Sequence, residues 1–347
     1  MTKIAILGAG SWGTALAIIL SRSPRKHEIA LWARDEKLAA NMVSEGENKA
    51  YLPGCAIPRS VLVSSRMENV LVGANIVLSA VPSAHVRAVF SAARDYLPKN
   101  AAIISATKGL EPATNLRMSE TLGQVVGASF PGRIAVLSGP SFAAEAARGE
   151  PTAVVVASGS ESAGNSLGES LATQIQEAFA ASGFRLYTND DVLGVELAGA
   201  MKNVIAIAAG ACEGLGLGHN AIAALVTRGL AEMSRLAVAL GARPETLAGL
   251  AGLGDLVLTC TGKQSRNRQV GVELGRGRGL SEILAGTHMV AEGVGTSAPL
   301  LALARQHRVE LPITEQVEAI LHKGRAARDA IREIMERPQK RESTRGH

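Results

Sequence analysis

Short apolar runs alternate with helical patterns through the first half of the chain. Each run is uniformly apolar, as expected for a strand that is buried on both faces of a parallel sheet. The runs predict strands at residues 3–7, 28–32, 75–81, 101–105, 134–137 and 153–157. The helical patterns predict helices at 14–21, 37–44, 83–96, 115–125 and 170–181. Because strands and helices alternate, we expect a parallel sheet covered by helices on both faces.

The pattern changes near residue 188, after which helical periodicity continues and no convincing strand appears. Asn189 or Asp190 is a suitable N-cap for the first of these helices. The helices are predicted at 192–212, 220–240, 281–284, 297–307, 315–322 and 326–336. The pattern therefore predicts an α/β fold, in which a doubly wound sheet at 1–188 precedes an all-α domain at 189–336 and a basic flexible tail at 337–347.

Composition narrows the class of protein. The 347 residues suit two domains of ordinary size, and the 47% apolar content excludes a disordered chain. Aromatic residues make up only 3%, which is few for a base-stacking surface or a carbohydrate-binding platform. The three cysteines are far apart and odd in number, so they predict no disulfide framework and favour a reducing, cytoplasmic compartment.

The net charge of +5 is concentrated at the C-terminus. Residues 323–347 hold eight basic and four acidic residues, which leaves a net charge of +1 on the remaining chain. A charged terminus of this kind is usually solvated, so the basicity does not predict a nucleic-acid partner. The apolar stretch at 197–212 is short and contains Lys202 and Asn203, so no membrane span is predicted.

Gly8, Gly10 and Gly13 form a G-x-G-x-x-G motif directly after the first predicted strand. In that setting the first glycine permits a tight turn, the second lets a pyrophosphate approach the backbone, and the third lets helix and strand pack closely. The free N–H groups at the helix N-terminus would then face the phosphates. The motif predicts a Rossmann-type site for NADP or NAD.

Arg34 lies at the end of the second predicted strand, where many NAD enzymes carry an acidic residue that binds the ribose 2′-OH. A guanidinium suits a 2′-phosphate, which favours NADPH. Asp35 follows at once and leaves NAD open, and the alternative for Arg34 is an ordinary surface arginine.

Two lysines are candidates for chemistry. Lys108 follows the fourth predicted strand, at the sheet edge where ligands bind; the alternative is a surface lysine in a loop. Lys202 is the only charged residue between Glu196 and Glu213. Burial lowers the pKa of an ammonium group, so Lys202 could exchange a proton with a substrate oxygen. The alternative is a lysine that extends its stem to reach water.

Two polar segments complete the candidate chemistry. Residues 138–143 combine glycine, proline and two serines after the fifth predicted strand, and alone they could be only a turn. In the segment 252–268, Asp255 could orient Lys202, and Arg266 with Asn267 could hold a phosphate; a plain charged loop is the alternative. The histidines show no metal-ligand spacing, so no metal site is predicted.

Taken in order along the chain, these motifs resemble the bacterial soluble NAD(P)-dependent glycerol-3-phosphate dehydrogenase family. The resemblance extends from residue 4 to about residue 320. It rests on residues 6–17, 31–34, 51–53, 80–83, 108–111, 138–145, 202–206, 252–256, 265–268 and 292–293. It implies reversible hydride transfer between NAD(P)H and dihydroxyacetone phosphate, which gives sn-glycerol 3-phosphate for glycerophospholipid synthesis.

The resemblance also implies roles for individual residues. Lys202 would be the catalytic proton donor and acceptor. Beside the glycine motif, the implied cofactor contacts are Ser11, Trp12, Arg34, Lys108, Ala143, Arg266, Val290 and Glu292. The implied substrate contacts are Lys108, Gly139, Ser141, Lys202, Asp255, Ser265, Arg266 and Asn267. The partner is a small phosphorylated molecule, and a homodimer is left open.

Two other functions compete with this hypothesis. One is another two-domain NADP-dependent dehydrogenase acting on a hydroxyacid or ketopantoate; Asp255 and the run Ser265-Arg266-Asn267 argue against it. The other is a non-catalytic NADPH-sensing protein, which the absence of Lys202 or Asp255 would have favoured.

Overall fold

An eight-stranded sheet organises the first half of the chain, in the order β3-β2-β1-β4-β5-β6-β7-β8. The computed structural model describes residues 1–127, 133–159, 170–286 and 290–338. The strands are β1 (Lys3–Leu7), β2 (Glu28–Trp32), β3 (Val61–Ser64), β4 (Ile76–Ser79), β5 (Ala102–Ser105), β6 (Ile134–Ser138), β7 (Thr152–Ser158) and β8 (Phe184–Asn189). From β1 the chain goes first to β2 and β3, then returns to β4 on the other side. The strand order therefore reverses between β1 and β4, where a ligand crevice is expected.

The sheet is parallel from β3 to β6, as predicted, but β7 runs antiparallel to β6. The connection from β6 to β7 contains the six-residue helix α6 (Ala143–Arg148). Antiparallel neighbours need no crossover back along the sheet, because β7 begins at the edge where β6 ends. The expectation of a wholly parallel sheet was wrong for β7 and for β8, which pairs in parallel with β7.

Helices cover both faces of the sheet. They are α1 (Ser11–Ser21), α2 (Glu36–Glu45), α3 (Met67–Leu71), α4 (Val86–Ala93), α5 (Met118–Val126), α6 and α7 (Leu171–Ala178). In β1, Ile4 and Ile6 join one apolar cluster while Ala5 and Leu7 join another. Because successive side chains of a strand point to opposite faces, both faces are buried. The doubly wound, Rossmann-type fold is confirmed.

The two strands that sequence patterning missed, β3 and β8, lie at the edges of the sheet. An edge strand is only partly covered, so it does not need a continuous apolar run. Leu62 of β3 is 44% exposed, and in β8 the exposed Arg185 and Tyr187 alternate with buried residues. Partial exposure therefore weakened the pattern on which the prediction depended.

The second half is helical throughout the described residues. Its helices are α8 (Val192–Gly214), α9 (His219–Ala239), α10 (Pro244–Ala248), α11 (Asp255–Thr261), α12 (Arg266–Gly275), α13 (Leu280–Ala285), α14 (Glu292–Gln306), α15 (Pro312–His322) and α16 (Ala327–Met335). A π-helical turn at Leu250–Gly254 leads into α11. Residues 252–268, for which a charged loop was the alternative, are therefore largely helical.

The change from sheet to helices occurs between Asn189, which ends β8, and Val192, which begins α8. Asp191 is the N-cap of α8, because its carboxylate accepts a hydrogen bond from the Gly194 N–H at 2.8 Å. The expectation of Asn189 or Asp190 was wrong, and Asn189 instead accepts a hydrogen bond from the Asp191 N–H. The domain division at residue 188 stays a prediction, and most of the predicted tail, 339–347, lies outside the described residues.

Helix α8 forms the centre of the helical half. By length and composition it is apolar enough to cross a membrane. However, 83% of its 18-residue apolar stretch is buried within the protein. Two glycines bring α8 and α12 into backbone contact. A Cβ at Gly210 would lie 2.0 Å from the carbonyl oxygen of Arg268, and a Cβ at Gly271 would lie 2.0 Å from that of Ile207. The apolarity of α8 thus serves close packing between helices.

We expect Gly271→Ala to lower the free energy of unfolding by about 1–3 kcal/mol, because the added methyl group forces α8 and α12 apart. Gly295→Ala is the matched control, since Gly295 is an exposed position inside α14 with open space around its Cβ. That change should raise stability by up to about 1 kcal/mol through helix propensity. Urea unfolding of both variants measures the difference, and equal effects would contradict the close-packing argument.

Candidate active site

The glycine motif forms a tight turn between β1 and α1. Gly8 has a φ of +115°, and a Cβ there would lie 2.8 Å from the carbonyl oxygen of Ala80. A Cβ at Gly13 would lie 1.8 Å from the carbonyl oxygen of Gly8, so this position requires glycine for packing. Gly10 differs, because its Cβ would meet no atom within 4 Å. The open side of Gly10 therefore leaves the start of α1 accessible to a pyrophosphate.

A buried asparagine braces this turn from a distant part of the chain. Asn48 is fully buried, and its side-chain amide donates to the carbonyl oxygen of Ala9 and the hydroxyl of Thr14, both at 2.9 Å. Nearby, the Ser11 hydroxyl donates to the carbonyl oxygen of Tyr51 at 2.7 Å. Sequence reasoning missed Asn48, although it stands just before the 51–53 motif.

Arg34 is exposed beyond the end of β2, and among the described residues no ion pair or hydrogen bond engages its guanidinium. Asp35 does not compete for the same position. Its carboxylate caps α2 by accepting a hydrogen bond from the Leu38 N–H at 2.8 Å. Because Asp35 caps α2, the interpretation of Asp35 as a ribose ligand is weakened. Arg34 remains available to bind an anion.

Lys108, Asp255 and Lys202 form one connected unit. The Lys108 ammonium donates to Asp255 Oδ2 at 2.6 Å, and the Lys202 ammonium donates to Asp255 Oδ1 at 2.5 Å. Lys202 also donates to the Thr259 hydroxyl at 2.8 Å. Asp255 is 1% exposed and Lys202 is 6% exposed, so these two are buried, whereas the Lys108 side chain is 17% exposed. The expected contact between Asp255 and Lys202 is present, and the interpretation of Lys202 as extending to water was wrong.

Burial and the charges of neighbouring groups shift the pKa values of Lys202 and Asp255. Burial lowers the pKa of Lys202 to about 7; the nearby Lys108 cation adds to this effect, whereas Asp255 opposes it. Burial acts to raise the pKa of Asp255, but the two ammonium groups together hold it below its ordinary value. Asp255 therefore stays ionised at neutral pH while Lys202 is poised to gain or lose a proton.

The position of Asp255 depends on the π-helical turn before it. Asp255 is the first residue of α11, directly after this turn. A Cβ at Gly252 would lie 2.0 Å from the carbonyl oxygen of Leu247, so the turn is too tight for a side chain there. Gly252 and Gly254 thus belong to the turn that positions the Asp255 carboxylate. They form no second dinucleotide-binding site.

The loop after β6 contributes a carbonyl group. Gly139 has a φ of +128°, and its carbonyl oxygen accepts hydrogen bonds from the Lys108 ammonium at 2.8 Å and the Ser141 hydroxyl at 3.0 Å. Ala143 begins α6 just beyond. The Ser138 hydroxyl is buried without a hydrogen-bond partner in the described structure. This loop therefore joins the same cluster as the two lysines.

The segment 265–267 forms the N-terminus of α12. Ser265 is the N-cap, since its hydroxyl accepts a hydrogen bond from the Arg268 N–H at 3.2 Å. Asn267 is buried; its amide donates to Asn203 Oδ1 at 2.9 Å, and its oxygen accepts from the Gly293 N–H at 2.9 Å. Arg266 follows the cap directly. A guanidinium beside a helix N-terminus is a suitable arrangement for binding a phosphate.

Glu292 links the two halves of the chain. Its carboxylate accepts hydrogen bonds from the Ser83 N–H at 3.0 Å and the Ser83 hydroxyl at 2.5 Å. Burial raises the pKa of Glu292, while burial lowers the pKa of Arg266, and each charge opposes the shift of the other. Val290 is 46% exposed nearby in the chain. Sequence reasoning missed Ser83, whose partner is 209 positions away.

The predicted site residues thus fall into connected groups. Hydrogen bonds join Lys108, Gly139, Ser141, Lys202 and Asp255 into one cluster. Trp12 is half-buried beside the glycine motif, in α1. A cleft of about 710 Å³ lies elsewhere, between β8 and α10, and contains none of the predicted site residues.

Comparison with known proteins identifies relatives along both halves of the chain. The family model for the N-terminus of NAD-dependent glycerol-3-phosphate dehydrogenase matches residues 3–164, and the model for its C-terminus matches residues 191–332. A protein of Koribacter versatilis (strain Ellin345), glycerol-3-phosphate dehydrogenase (NAD(P)+), is 53% identical over 339 residues. That alignment covers 97% of this chain and 98% of the relative.

Solved structures are similar over the same length. The crystal structure of glycerol-3-phosphate dehydrogenase from Coxiella burnetii is 41% identical, with a TM-score of 0.88, and the match covers 97% of this chain and 99% of that chain. A ketopantoate reductase from Ralstonia eutropha JMP134 is 18% identical with a TM-score of 0.59, covering 96% of this chain and 100% of that chain. At that identity the second likeness reflects the fold alone.

We expect the Lys202 amine to titrate near pH 7, within about a unit. Asp255→Asn should lower this pKa further, because it removes the charge that stabilises the ammonium form. Acetic anhydride acylates only the free amine, so the labelling rate of Lys202 at successive pH values, read by mass spectrometry, gives the pKa. The exposed Lys37 serves as the internal standard for reagent reactivity. An unchanged or higher pKa in the variant would contradict the shared-carboxylate arrangement.

Proposed function

The chain belongs to the NAD-dependent glycerol-3-phosphate dehydrogenase family, and on that premise we propose that it transfers hydride reversibly between NAD(P)H and dihydroxyacetone phosphate. The chain is an NAD(P)-dependent oxidoreductase with a small-molecule substrate. The product, sn-glycerol 3-phosphate, would enter glycerophospholipid synthesis. The observation that carries the proposal is the buried Lys108–Asp255–Lys202 unit. It provides a proton donor of suitable pKa beside a fixed positive charge.

Lys202 is the proposed proton donor and acceptor at the C2 oxygen. As hydride reaches the C2 carbon, negative charge develops on that oxygen, and an ammonium group both stabilises the charge and supplies the proton. The reaction consumes one hydride and one proton and yields a neutral hydroxyl group. A pKa of about 7 means that the protonated and neutral forms of Lys202 are both populated near neutral pH. The protonated form that ketone reduction needs and the neutral form that alcohol oxidation needs are therefore both available.

Lys108 and Asp255 set the electrostatics of this step. Asp255 is shared between two ammonium groups, so it holds Lys202 in place without taking its proton. Lys108 keeps a second cation within the same cluster, where low dielectric strengthens its effect on a developing oxyanion. We assign Asp255 an orienting role and Lys108 an electrostatic one.

The N-terminus of α12 is the proposed phosphate site. Arg266 supplies a charge, while the first turn of α12 supplies backbone N–H groups and the positive end of its dipole. Ser265 and Asn267 are held in place by their own hydrogen bonds. Contacts to a phosphate remote from C2 would orient the reacting carbon relative to Lys202, which is how binding energy contributes to rate.

The residues of the first half fit a nicotinamide dinucleotide. The open side of Gly10 and the uncapped start of α1 suit the pyrophosphate, and the exposed Arg34 suits a 2′-phosphate. When bound, NAD(P)H supplies the hydride. Trp12, Ala143, Val290 and Glu292 are the further proposed contacts. The exposed guanidinium of Arg34, which no described residue engages, favours NADPH over NADH.

The competing functions have less support. The ketopantoate reductase likeness is limited to the fold, whereas relatives at 53% identity carry the glycerol-3-phosphate dehydrogenase name. A sensing protein has no need for a buried lysine whose pKa is near 7. For localisation we propose the cytoplasm, supported by three cysteines that are all free and buried. The oligomeric state, including a homodimer, stays open to measurement by light scattering.

We expect the protein to oxidise NADPH with dihydroxyacetone phosphate, and Lys202→Ala to lower kcat by at least about 100-fold through loss of the proton donor. Absorbance at the NADPH band follows the reaction, with pyruvate and ketopantoate as control substrates. In the wild type, ketone reduction should fall as pH rises through about 7, and alcohol oxidation should rise, because the two directions need opposite forms of Lys202. Turnover of ketopantoate instead would overturn the proposal, and a near-wild-type Lys202→Ala would overturn the role of Lys202.

Arg34→Ala should weaken NADPH binding by about tenfold or more, because the 2′-phosphate loses a charge-assisted partner. NADH binding should change little, since NADH lacks that phosphate. Fluorescence titration of both dinucleotides gives the two affinities. Lys37→Ala, which removes a neighbouring exposed cation from α2, controls for a general loss of positive charge. Equal weakening of NADPH and NADH would contradict the assignment of Arg34.

A further inference from the structure

A buried ion pair joins the two halves of the chain beside the catalytic unit. Glu196, in the first part of α8, is 8% exposed, and its carboxylate accepts three hydrogen bonds from the other half. The donors are Arg117 Nη1 at 2.8 Å, the Ser119 N–H at 2.8 Å and the Ser119 hydroxyl at 2.6 Å. A buried carboxylate with this many fixed partners holds a defined position. Neither the proposed reaction nor the proposed binding sites use Glu196.

The partners of Glu196 are connected to Lys108 through the backbone. Arg117 forms an isolated antiparallel bridge with Leu110, two residues from Lys108, within the loop that connects β5 to α5. Next to this bridge, the Glu111 N–H donates to the Leu116 carbonyl oxygen at 2.9 Å. A displacement of Arg117 would therefore move the segment that carries Lys108.

Helix α8 carries Glu196, Gly199 and Lys202 at a spacing of three residues, so Gly199 is adjacent on the helix surface to each of the other two. A Cβ at Gly199 would lie 2.9 Å from the Ser138 hydroxyl and 3.6 Å from Lys108 Cγ. Glu196 and Lys202 are about 9 Å apart along the helix axis. This stretch of α8 thus approaches the Lys108 side chain at Gly199, between Glu196 on one side and the proposed proton donor on the other.

From this geometry we infer that Glu196 is a positioning residue: by binding Arg117 and Ser119, it fixes the loop of Lys108 relative to α8 and so sets the Lys108–Asp255–Lys202 arrangement. The inference rests on the proposed function and deepens it. The ionisable groups that face Lys202 are Asp255 and Cys260 of α11 and Lys108 of the loop. If Lys108 moves away, Lys202 loses a repelling cation and shares Asp255 with no competitor. Both changes favour the ammonium form, so the pKa of Lys202 should rise.

Glu196→Gln tests this inference, because glutamine keeps the shape but turns an amide N–H₂ group toward one of the donors, either the Arg117 guanidinium or the Ser119 N–H. We expect kcat to fall about 10- to 100-fold, as is usual when a reacting geometry loosens by about 1 Å. NADPH affinity should fall much less than kcat, since the glycine motif and Arg34 keep their positions and only the contact of Lys108 is affected. The pH at which kcat for ketone reduction declines should move upward.

Glu120→Gln is the matched control. Glu120 pairs with the same guanidinium, at 2.7 Å from Arg117 Nη2, and accepts from the Arg117 N–H at 2.9 Å, but its side chain is 42% exposed and forms no hydrogen bond to α8 or the catalytic unit among the described residues. This variant should keep the wild-type kcat and pH profile. If Glu196→Gln fails to fold, Ser119→Ala removes one donor to Glu196 and should shift the profile in the same direction by a smaller amount.

Acetic anhydride labelling of Lys202 separates this inference from the proposed reaction, because it reports the pKa without turnover. A higher Lys202 pKa in Glu196→Gln supports the positioning role even if dihydroxyacetone phosphate proves not to be the substrate. A lower kcat or melting temperature with an unchanged Lys202 pKa would reduce Glu196 to a structural residue and overturn the inference. A wild-type kcat and pKa would overturn it as well.

Discussion

The interaction on which the site depends is the sharing of one buried carboxylate by two ammonium groups. Lys202 lies in the middle of an apolar helix, where an unpaired charge would cost several kcal/mol. Asp255 offsets that cost, and it does so for Lys108 at the same time. Since Lys108 comes from the sheet half while Lys202 and Asp255 come from the helical half, the charges can be satisfied together only when the halves are docked. The catalytic arrangement and the docking of the halves are therefore one electrostatic requirement.

The packing around α8 follows from the same requirement. A central helix that must present Lys202 at a fixed point needs close neighbours, and glycines at 210 and 271 bring α12 into backbone contact with it. That contact also fixes the N-terminus of α12, where Ser265 caps the helix next to Arg266. The proposed phosphate site and the proposed proton donor are thus held by one pair of packed helices. On this proposal, substrate orientation depends on the backbone contact between these helices as well as on side chains.

Much of the fold and of the site could be predicted from sequence, for a definite reason. The central strands are continuous apolar runs, and Lys202 is one charge in a long apolar helix, so each is visible within a short window. The edge strands β3 and β8 were missed because most of their side chains are exposed or only partly buried. Sequence reasoning also missed Asn48, Ser83 and Glu196, because each forms hydrogen bonds with partners that are distant in sequence. Local patterns report burial, but they do not report which polar groups meet across the fold.

The charge balance of the unit suits the proposed chemistry in both of its states. With Lys202 protonated, two ammonium groups and one carboxylate leave a net charge of +1 beside the oxygen on which negative charge develops. Once Lys202 has donated its proton, the unit is neutral, and so is the product hydroxyl group. Lys108 lowers the pKa of the Asp255 carboxyl alongside Lys202, so that carboxylate keeps a cationic partner when Lys202 is neutral. In the proposed reaction Lys108 therefore has two effects, since it adds positive charge beside the developing oxyanion and pairs with Asp255 after proton transfer.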